Sequence, residues 1–169
     1  MLNNNFKISK GHNLNLEGVP NLEILDVKLP EENIIHPTSI KGIKTKLLIK
    51  EGDKVKIGTP LFFDKNNKDV MFTSTCSGMI SKILFGPRRV VESIYIKNDQ
   101  NYASIDLPKE IRRSTLLKIG FWTFFRQRPF SIIPNSASNP KSIFISALST
   151  KPFAIDYEYL FSNADNFLQ

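Results

Sequence analysis

The feature that most restricts the fold is a series of short β-branched and aromatic runs in the middle of the chain. Glycine or Asp/Asn clusters bound each run at close intervals, so none is long enough for an ordinary helix. Runs of this kind predict strands joined by tight turns. The predicted strands are residues 44–49, 61–63, 70–73, 79–84 and 90–96. Residues 38–103 are therefore predicted to form a small all-β domain.

A glycine pattern inside this domain predicts how its strands fold over one another. Residues 52–61 read GDxVxxGxxL. Gly52 and Gly58 would supply positive φ at two reversals, while Val55 and Leu61 would point inward. The pattern resembles the barrel-sandwich hybrid fold of lipoyl and biotinyl carrier domains, although a fold alone does not identify a function.

Lys65 and Lys68 are candidates for a lysine that carries a covalent lipoyl or biotinyl group. Such a lysine sits at the tip of a tight hairpin, and in lipoyl domains an Asp-Lys pair occupies that tip, as Asp64 and Lys65 do here. Residues 65–69, however, predict a looser polar turn, and no MKM motif is present. The sequence favours an ordinary solvated loop and leaves a carrier domain as the alternative.

The segments on either side of the β domain differ from it in pattern. Residues 1–37 hold short apolar pieces between Gly and Pro, which predicts irregular chain with short strands. Residues 104–169 predict a helical linker that starts at Asp106 and ends at Gly120, followed by a strand at 143–145. The predicted fold class is α+β, mainly β: a barrel-sandwich hybrid domain followed by the start of an incomplete α/β domain.

Composition excludes several classes of protein. The longest apolar stretch is far shorter than the roughly 18 residues that span a bilayer. Cys76 is the only cysteine, and it is expected to be a small buried thiol; His12 and His36 are the only histidines. We therefore expect no disulfide, no metal site and no nucleophilic hydrolase. The Lys and Arg residues behind the net charge of +7 are interpreted as interleaved with Asp and Glu along the chain. Because no nucleic-acid-binding motif accompanies them, we predict no nucleic-acid partner.

One stretch after the predicted helix identifies a family. Residues 120–130 read GFWTFFRQRPF. They resemble the G-[LF]-W-x-x-x-R-x-R-P-F block of the NqrA family, the A subunits of the Na+-translocating NADH:quinone oxidoreductase (the Nqr complex). Further matches to that family follow the same order at residues 8–20, 50–65 and 143–152. Since family members are much longer, the chain looks like the N-terminal part of such a subunit.

The resemblance implies a peripheral subunit on the cytoplasmic face of the bacterial inner membrane, at the quinone-reducing end of a Na+ pump that oxidises NADH. The implied partners are the other Nqr subunits, B, C, D, E and F, chiefly B, the membrane subunit. Ubiquinone would be the substrate, and membrane contact would occur only through the complex. FMN, FAD, riboflavin, Fe–S and NADH would lie on other subunits, and the isolated chain would not be catalytic. The alternatives are a carrier domain, a stand-alone basic binding module or a truncated, non-functional subunit.

A related flavin-binding subunit of respiratory complex I also bears on cofactors. There the stretch equivalent to 120–130 is a Gly-rich loop whose backbone N–H groups approach a flavin phosphate. Here bulky side chains replace those glycines: Trp122, Phe124, Phe125, Gln127 and Arg128. These side chains would fill the space that a flavin needs. Such relatives also contact the nucleotide through acidic residues after a later strand, where residues 146–152 here offer no carboxylate. The chain is therefore predicted to bind neither FMN nor NADH.

Trp122, Arg126, Arg128 and Phe130 are the candidate site residues. In one interpretation the aromatics pack between the two parts of the chain, while the arginines cap carbonyls or pair with acids such as Asp156. In the other, this face docks the membrane subunit or borders the quinone headgroup. The sequence leaves both interpretations open. It predicts no catalytic, cofactor-binding or metal-binding residue.

Overall fold

A computed structural model describes residues 10–11, 14, 16–18, 21–23, 25, 27–107, 109–146, 149 and 151–162. The chain divides into two compact units. The larger runs from Lys28 to Pro140, and the smaller is drawn from both ends of the chain. The predicted domain boundaries at residues 37/38 and 103/104 do not coincide with the limits of these two units, and they stay a prediction.

Seven strands are described in the larger unit: β1 Glu32–Ile35, β2 Thr45–Leu47, β3 Lys54–Val55, β4 Pro60–Asp64, β5 Asn67–Thr73, β6 Gly78–Phe85 and β7 Val91–Asn98. They form a four-stranded sheet of order β1-β7-β6-β3 and a three-stranded sheet of order β2-β4-β5. Every pair of neighbours is antiparallel. All five predicted strands are confirmed. Strand β1 lies in the N-terminal segment, where short strands were predicted without bounds, and the two-residue β3 was not predicted.

The two sheets contribute to one hydrophobic core. Alternate residues of β5 point inward, so Val70 and Phe72 are buried, and Phe72 stacks on Phe62 with ring centroids 4.7 Å apart. Ile94 and Ile96 of β7 follow the same alternation. The remaining buried apolar residues of the β domain are Val55, Leu61, Cys76, Ile80, Ile83 and Val91. The predicted inward positions of Val55 and Leu61 and the buried thiol are confirmed.

The predicted turns at Gly52 and Gly58 are confirmed, since their φ angles are 88° and 89°. A Cβ on Gly58 would lie 2.7 Å from the side chain of Ile105, so the chain that leaves the β domain packs directly on this turn. The N–H of Ile105 donates to the carbonyl of Ile57 at 3.0 Å. This hydrogen bond holds the chain extended up to residue 105.

Helix α1, Arg113–Lys118, begins later than predicted, and the predicted N-cap at Asp106 is wrong. The helix ends as predicted, because Gly120 follows it in the left-handed conformation with φ 78°. A short 3-10 helix, Phe121–Phe124, comes next. Helix α2, Tyr157–Ser162, belongs to the smaller unit. Pro108, in the predicted first helical turn, lies outside the described residues.

The predicted strand at residues 143–145 is not formed in the structure. The chain there is irregular, and the side chains of Ile143, Phe144 and Ile145 are exposed. A strand requires a hydrogen-bonded neighbour, and none of the described residues pairs with this segment. The apolar pattern alone was therefore not sufficient to form the strand.

Candidate functional site

The stretch from residue 120 to 130 contains a tryptophan that is buried in the same hydrophobic core as the β domain. Trp122 is only 7% exposed, and its indole N–H donates to the carbonyl of Pro134 at 2.9 Å. The ring of Phe125 meets the indole edge-on with centroids 5.4 Å apart. The guanidinium of Arg113 lies 5.7 Å from the centroid of the indole ring. Trp122 therefore acts as an internal anchor for the stretch.

Gly120 brings the same stretch into close contact with β5. A Cβ at this position would lie 2.6 Å from Thr73 Oγ1. The Thr73 hydroxyl in turn donates to the carbonyl of Ile119 at 3.3 Å. Since the backbone also has positive φ, any residue other than glycine would be strained here and would collide with Thr73.

A network of polar side chains attaches the loop at residues 134–136 to β5 and to α1. Asn67 donates to the carbonyl of Pro134 at 3.2 Å and accepts from the N–H of Ser136 at 3.2 Å. The Ser136 hydroxyl donates to Asp69 at 2.9 Å. Arg113 donates to the carbonyl of Ser136 at 3.3 Å. The contacts with β5 were missed at the sequence level, because they join residues about seventy positions apart.

Between Trp122 and the loop at residues 134–136, the chain reverses direction at residues 126–131, which we call the 126–131 turn. The N–H of Gln127 donates to the carbonyl of Ile132 at 2.8 Å and closes it. The Arg128-Pro129 peptide bond is cis. Phe130 is 73% exposed at the turn, and Phe124, just before it, is 75% exposed.

The four predicted site residues thus have different environments. Trp122 is buried, and Arg126 donates to the carbonyls of Thr123 and Phe125, the latter at 2.9 Å. Arg128 is exposed and has no hydrogen-bond or ion-pair partner within the part of the chain that the structure describes, and Phe130 is largely exposed. Packing and carbonyl capping, as the first interpretation expected, describe Trp122 and Arg126; Arg128 and Phe130 are available to a partner.

The acid named above as a possible arginine partner has a role of its own. The carboxylate of Asp156 accepts the N–H groups of Glu158 and Tyr159, at 2.9 and 3.1 Å, at the start of α2. This is the usual role of an acid that precedes a helix.

The net positive charge is less evenly distributed along the sequence than our interpretation of the composition stated. Between Glu110 and Asp156 the sequence holds seven Lys and Arg residues and no Asp or Glu. The other 16 Lys and Arg residues are matched by 16 Asp and Glu residues elsewhere. The whole net charge of +7 therefore belongs to the region that contains the candidate site, a signal that was available in the sequence.

A cavity of about 130 Å³ lies beside residues 132–133, which follow the 126–131 turn. Its walls include Asp64, Asn67, Ile132 and Ile133 together with Gly42. Pockets for drug-sized molecules usually measure about 300–1,000 Å³. The cavity is too small for a flavin or a whole quinone.

A wider groove of about 620 Å³ lies within the smaller unit. It is lined mainly by aliphatic and aromatic side chains, with Lys151 and Asp156 as its charged residues; the apolar ones include Leu14, Leu16, Leu22 and Phe153. No functional residue was predicted there. Its volume falls in the range of small-molecule pockets.

The turn at Lys65 differs from the prediction. Strands β4 and β5 are joined by Lys65 and Asn66 alone, because Asp64 pairs with Asn67 across the turn. The buried carboxylate of Asp64 accepts the N–H of Asn66 at 3.1 Å and that of Lys44 at 2.8 Å, which closes the turn. The looser turn predicted for residues 65–69 is wrong. Lys65 lies exposed at the tip, and Lys68 lies within β5.

His36 has a serine neighbour that the sequence did not reveal. The Ser93 hydroxyl lies 2.9 Å from His36 Nδ1. Ser93 is buried on β7, so its hydroxyl cannot reach a substrate in solution. His12 lies outside the described residues. Among the residues that are described, no three His, Cys, Asp or Glu side chains are grouped so that they could hold a metal ion.

Comparison with known families assigns both parts of the chain. The NqrA N-terminal barrel-sandwich hybrid domain matches residues 6–99, and the NqrA second alpha/beta domain matches residues 107–169. The chain belongs to the NqrA family. The predicted fold class and the family resemblance drawn from residues 120–130 are thereby confirmed.

Curated members of the NqrA family cover most of the chain. Each of the following is named as the A subunit of a Na(+)-translocating NADH-quinone reductase. The protein from Marinomonas sp. (strain MWYL1) is 36% identical over 94% of the chain and 38% of its own length. That from Yersinia pseudotuberculosis serotype O:1b (strain IP 31758) is 39% identical over 89% of the chain and 36% of its own length. That from Cellvibrio japonicus (strain Ueda107) is 37% identical over 89% of the chain and 36% of its own length. The chain thus spans little more than a third of these NqrA relatives.

None of the helices among the described residues is long and apolar enough to cross a membrane.

Proposed function

We propose that the chain serves as a peripheral subunit of a Na+-translocating NADH:ubiquinone reductase, at its quinone-reducing end and on the cytoplasmic face of the bacterial inner membrane. Its membership of the NqrA family carries this proposal, because the matched relatives are named as the A subunits of such a reductase. The chain would act in assembly with the other Nqr subunits (B to F), chiefly with the membrane subunit. NADH oxidation, quinone reduction and Na+ transport would be activities of the complex.

We further propose that the chain carries no redox cofactor. The buried indole of Trp122, held by Pro134 and packed on Phe125, occupies the stretch that a Gly-rich flavin loop would leave open. FMN, FAD, riboflavin and Fe–S would therefore lie on other subunits, as would the NADH site. Flavin fluorescence after denaturing the purified chain tests this point, and a stoichiometric flavin signal would contradict it.

The docking surface is proposed to include Arg126, Arg128 and Phe130, with Trp122 as the residue that fixes the backbone beneath them. An exposed aromatic ring flanked by guanidinium groups is typical of the residues that dominate protein interfaces. Quinone contact is the less favoured role for this stretch, because the cavity beside it measures only about 130 Å³. We therefore favour contact with the membrane subunit over contact with the quinone headgroup.

Co-purification tests the proposed function. The tagged chain is expressed with the other Nqr subunits, and the membrane fraction is solubilised and captured through the tag. The proposal expects the other subunits to be retained, and it expects Arg126→Ala combined with Arg128→Ala to lower their recovery. The matched control is Arg88→Ala combined with Arg89→Ala on another exposed turn. Capture of the chain alone would sink the proposal and favour the truncated, non-functional subunit.

A carrier role at Lys65 is the second candidate, because this lysine lies at the tip of a two-residue hairpin as carrier chemistry requires. Intact mass of the chain purified from its native cell decides it. A lipoyl or biotinyl increment that disappears in Lys65→Arg would support the carrier role. An unmodified mass would exclude it.

A further inference from the structure

The smaller unit differs from the larger one in having no buried residue among those that the structure describes. All the buried apolar side chains lie between Val55 and Trp122, in the larger unit. Large apolar side chains of the smaller unit are exposed instead, among them Val27, Ile155 and Phe161. Burial of apolar surface is what offsets the entropy lost when a chain becomes ordered. These side chains therefore form an apolar surface and not a core.

The most exposed part of this surface is the segment at residues 143–145, which we call the 143–145 segment. Phe144 is 94% exposed and Ile145 is 89% exposed, and Ile143 before them is exposed as well. Consecutive β-branched and aromatic residues are typical of a central strand that is covered on both faces. The segment thus has the composition of a buried strand in a fully solvated position.

A strand-forming segment of this kind is completed by another strand. Its backbone N–H and C=O groups need hydrogen-bond partners, and no strand or bridge among the described residues supplies them. The hydrocarbon of a bilayer contains no such groups, so a lipid surface would cover the side chains and leave the backbone unpaired. A polypeptide strand added alongside provides the hydrogen bonds and the apolar cover together.

The family match indicates which polypeptide could supply that strand. Residues 107–169 match the NqrA second alpha/beta domain, and domains of this class are built on a sheet with helices packed against it. The chain spans only 36–38% of the length of its curated relatives, so most of their sequence lies outside the match. A second copy of the chain would add only the same segment, and a two-stranded pair has little stability of its own.

We propose that the 143–145 segment is a docking strand for the part of NqrA that lies outside this match. It pairs with a β-strand of that part, whose neighbouring apolar side chains cover Phe144 and Ile145. The inference rests on membership of the NqrA family and does not depend on the assembly role proposed above.

Thiol alkylation tests the proposal, because Cys76 is the only native cysteine and it is buried. Ile145→Cys adds one exposed thiol, and since cysteine behaves as a small apolar residue the docking surface is kept. The variant is alkylated as the full chain alone and again as a fusion to the unmatched part of the Yersinia pseudotuberculosis relative. We expect the fusion to slow the reaction about tenfold or more, because a covered thiol is protected.

Two further variants make the result specific. Phe85→Cys places a thiol at an exposed position of the larger unit, where the fusion should change the rate by less than about twofold. Phe144→Lys combined with Ile145→Cys should restore fast alkylation in the fusion, since a charge cannot be buried against an apolar strand. Phe144 is exposed in the chain itself, so this substitution leaves the rest of the chain folded.

Three results would overturn the proposal. One is a thiol at position 145 that reacts as fast in the fusion as in the chain alone. Another is equal protection at position 85, which would mean that the fusion shields the whole chain. The third is a dimer of the chain alone, seen by light scattering and abolished by Phe144→Lys, which would make a second copy the occupant.

Failure of this inference can be distinguished from failure of the proposed function. If the chain is captured with the other Nqr subunits while the fusion leaves the thiol at position 145 reactive, the docking strand fails and the proposed function stands. If the fusion protects this thiol but the other subunits are not captured, the proposed function fails and the docking strand stands.

Discussion

Two turns of the larger unit each carry a pair of arginines, and they are held in place by different means. Residues 86–90, the 86–90 turn, join β6 to β7 and are closed by the backbone, with the N–H of Gly86 donating to the carbonyl of Val90 at 2.8 Å. The 126–131 turn is closed by one hydrogen bond from Gln127 and depends on side chains such as Trp122 and Asn67 below it. Two turns that carry similar residues can thus be held in place by different kinds of contact.

The surroundings of the two turns differ as well. Glu92 lies beside Gly86, with its carboxylate 3.4 Å from where a Cβ on that glycine would be. The 126–131 turn has no acid within residues 111–140 of the sequence, and it follows the exposed Phe124. The comparison indicates a solvated hairpin in the first case, whereas the second carries the docking surface that we propose.

Among the variants that test this comparison, replacement of Trp122 should have the largest effect on the free energy of unfolding. Trp122→Ala removes a buried ring, its contact with Phe125 and the hydrogen bond to Pro134. We expect the free energy of unfolding in urea to fall by about 3 kcal/mol or more. Phe124→Ala, three quarters exposed on the same stretch, should change it by about 0.5 kcal/mol or less. Equal losses in the two variants would refute the division between anchor and surface.

The next largest effect is expected at Gly120. Gly120→Ala strains a left-handed residue and places a Cβ 2.6 Å from Thr73 Oγ1, so we expect a loss of about 2 kcal/mol or more in the free energy of unfolding. Gly42→Ala is the matched control, because Gly42 has φ 84° and open space around it, and it should cost about 1 kcal/mol. Amide exchange should quicken more at Gln127 than at Gly86. A control variant as costly as Gly120→Ala would mean that contact with β5 contributes nothing.

Sequence patterns predicted those parts of the fold that depend on residues close together in the sequence. Runs of β-branched and aromatic residues between Gly and Asp/Asn clusters predicted the five main strands, and the need for positive φ predicted the turns at Gly52 and Gly58. The tight turn at Lys65 was missed because it depends on the carboxylate of Asp64 and the N–H of Lys44, twenty positions away. The strand at 143–145 failed because a strand also needs a hydrogen-bonded neighbour.

The candidate site was predicted in part for the same reason. Local sequence identified Trp122, Arg126, Arg128 and Phe130 as a group, but it could not say which of them are buried. That division arises from Pro134 and Arg113, which reach Trp122 only after the chain has folded back.

A smaller effect should separate the two arginines of the 126–131 turn. Arg126→Gln removes donors to the carbonyls of Thr123 and Phe125 and should lower the free energy of unfolding by about 0.5–1 kcal/mol. Arg128→Gln should leave it unchanged within about 0.3 kcal/mol, because exposed charges without a partner contribute little. Chemical denaturation of both variants measures the difference. A larger loss for Arg128→Gln would show that this residue has a structural role.

The smallest effect is expected at the end of β7 opposite the 86–90 turn. The Ser77 hydroxyl donates to Asp99 at 2.5 Å, and the N–H of Asn101 donates at 3.0 Å; both lower the pKa of Asp99 below its usual value. A depressed pKa in the folded state stabilises the fold above the unfolded pKa of about 3.9, and this stabilisation is lost as the pH falls through the folded value. Asp99→Asn should therefore reduce the loss of stability below about pH 4 while leaving the Gly86 amide protected from exchange. Urea midpoints measured from pH 7 to pH 2 check this, and parallel pH profiles for the two proteins would rule it out.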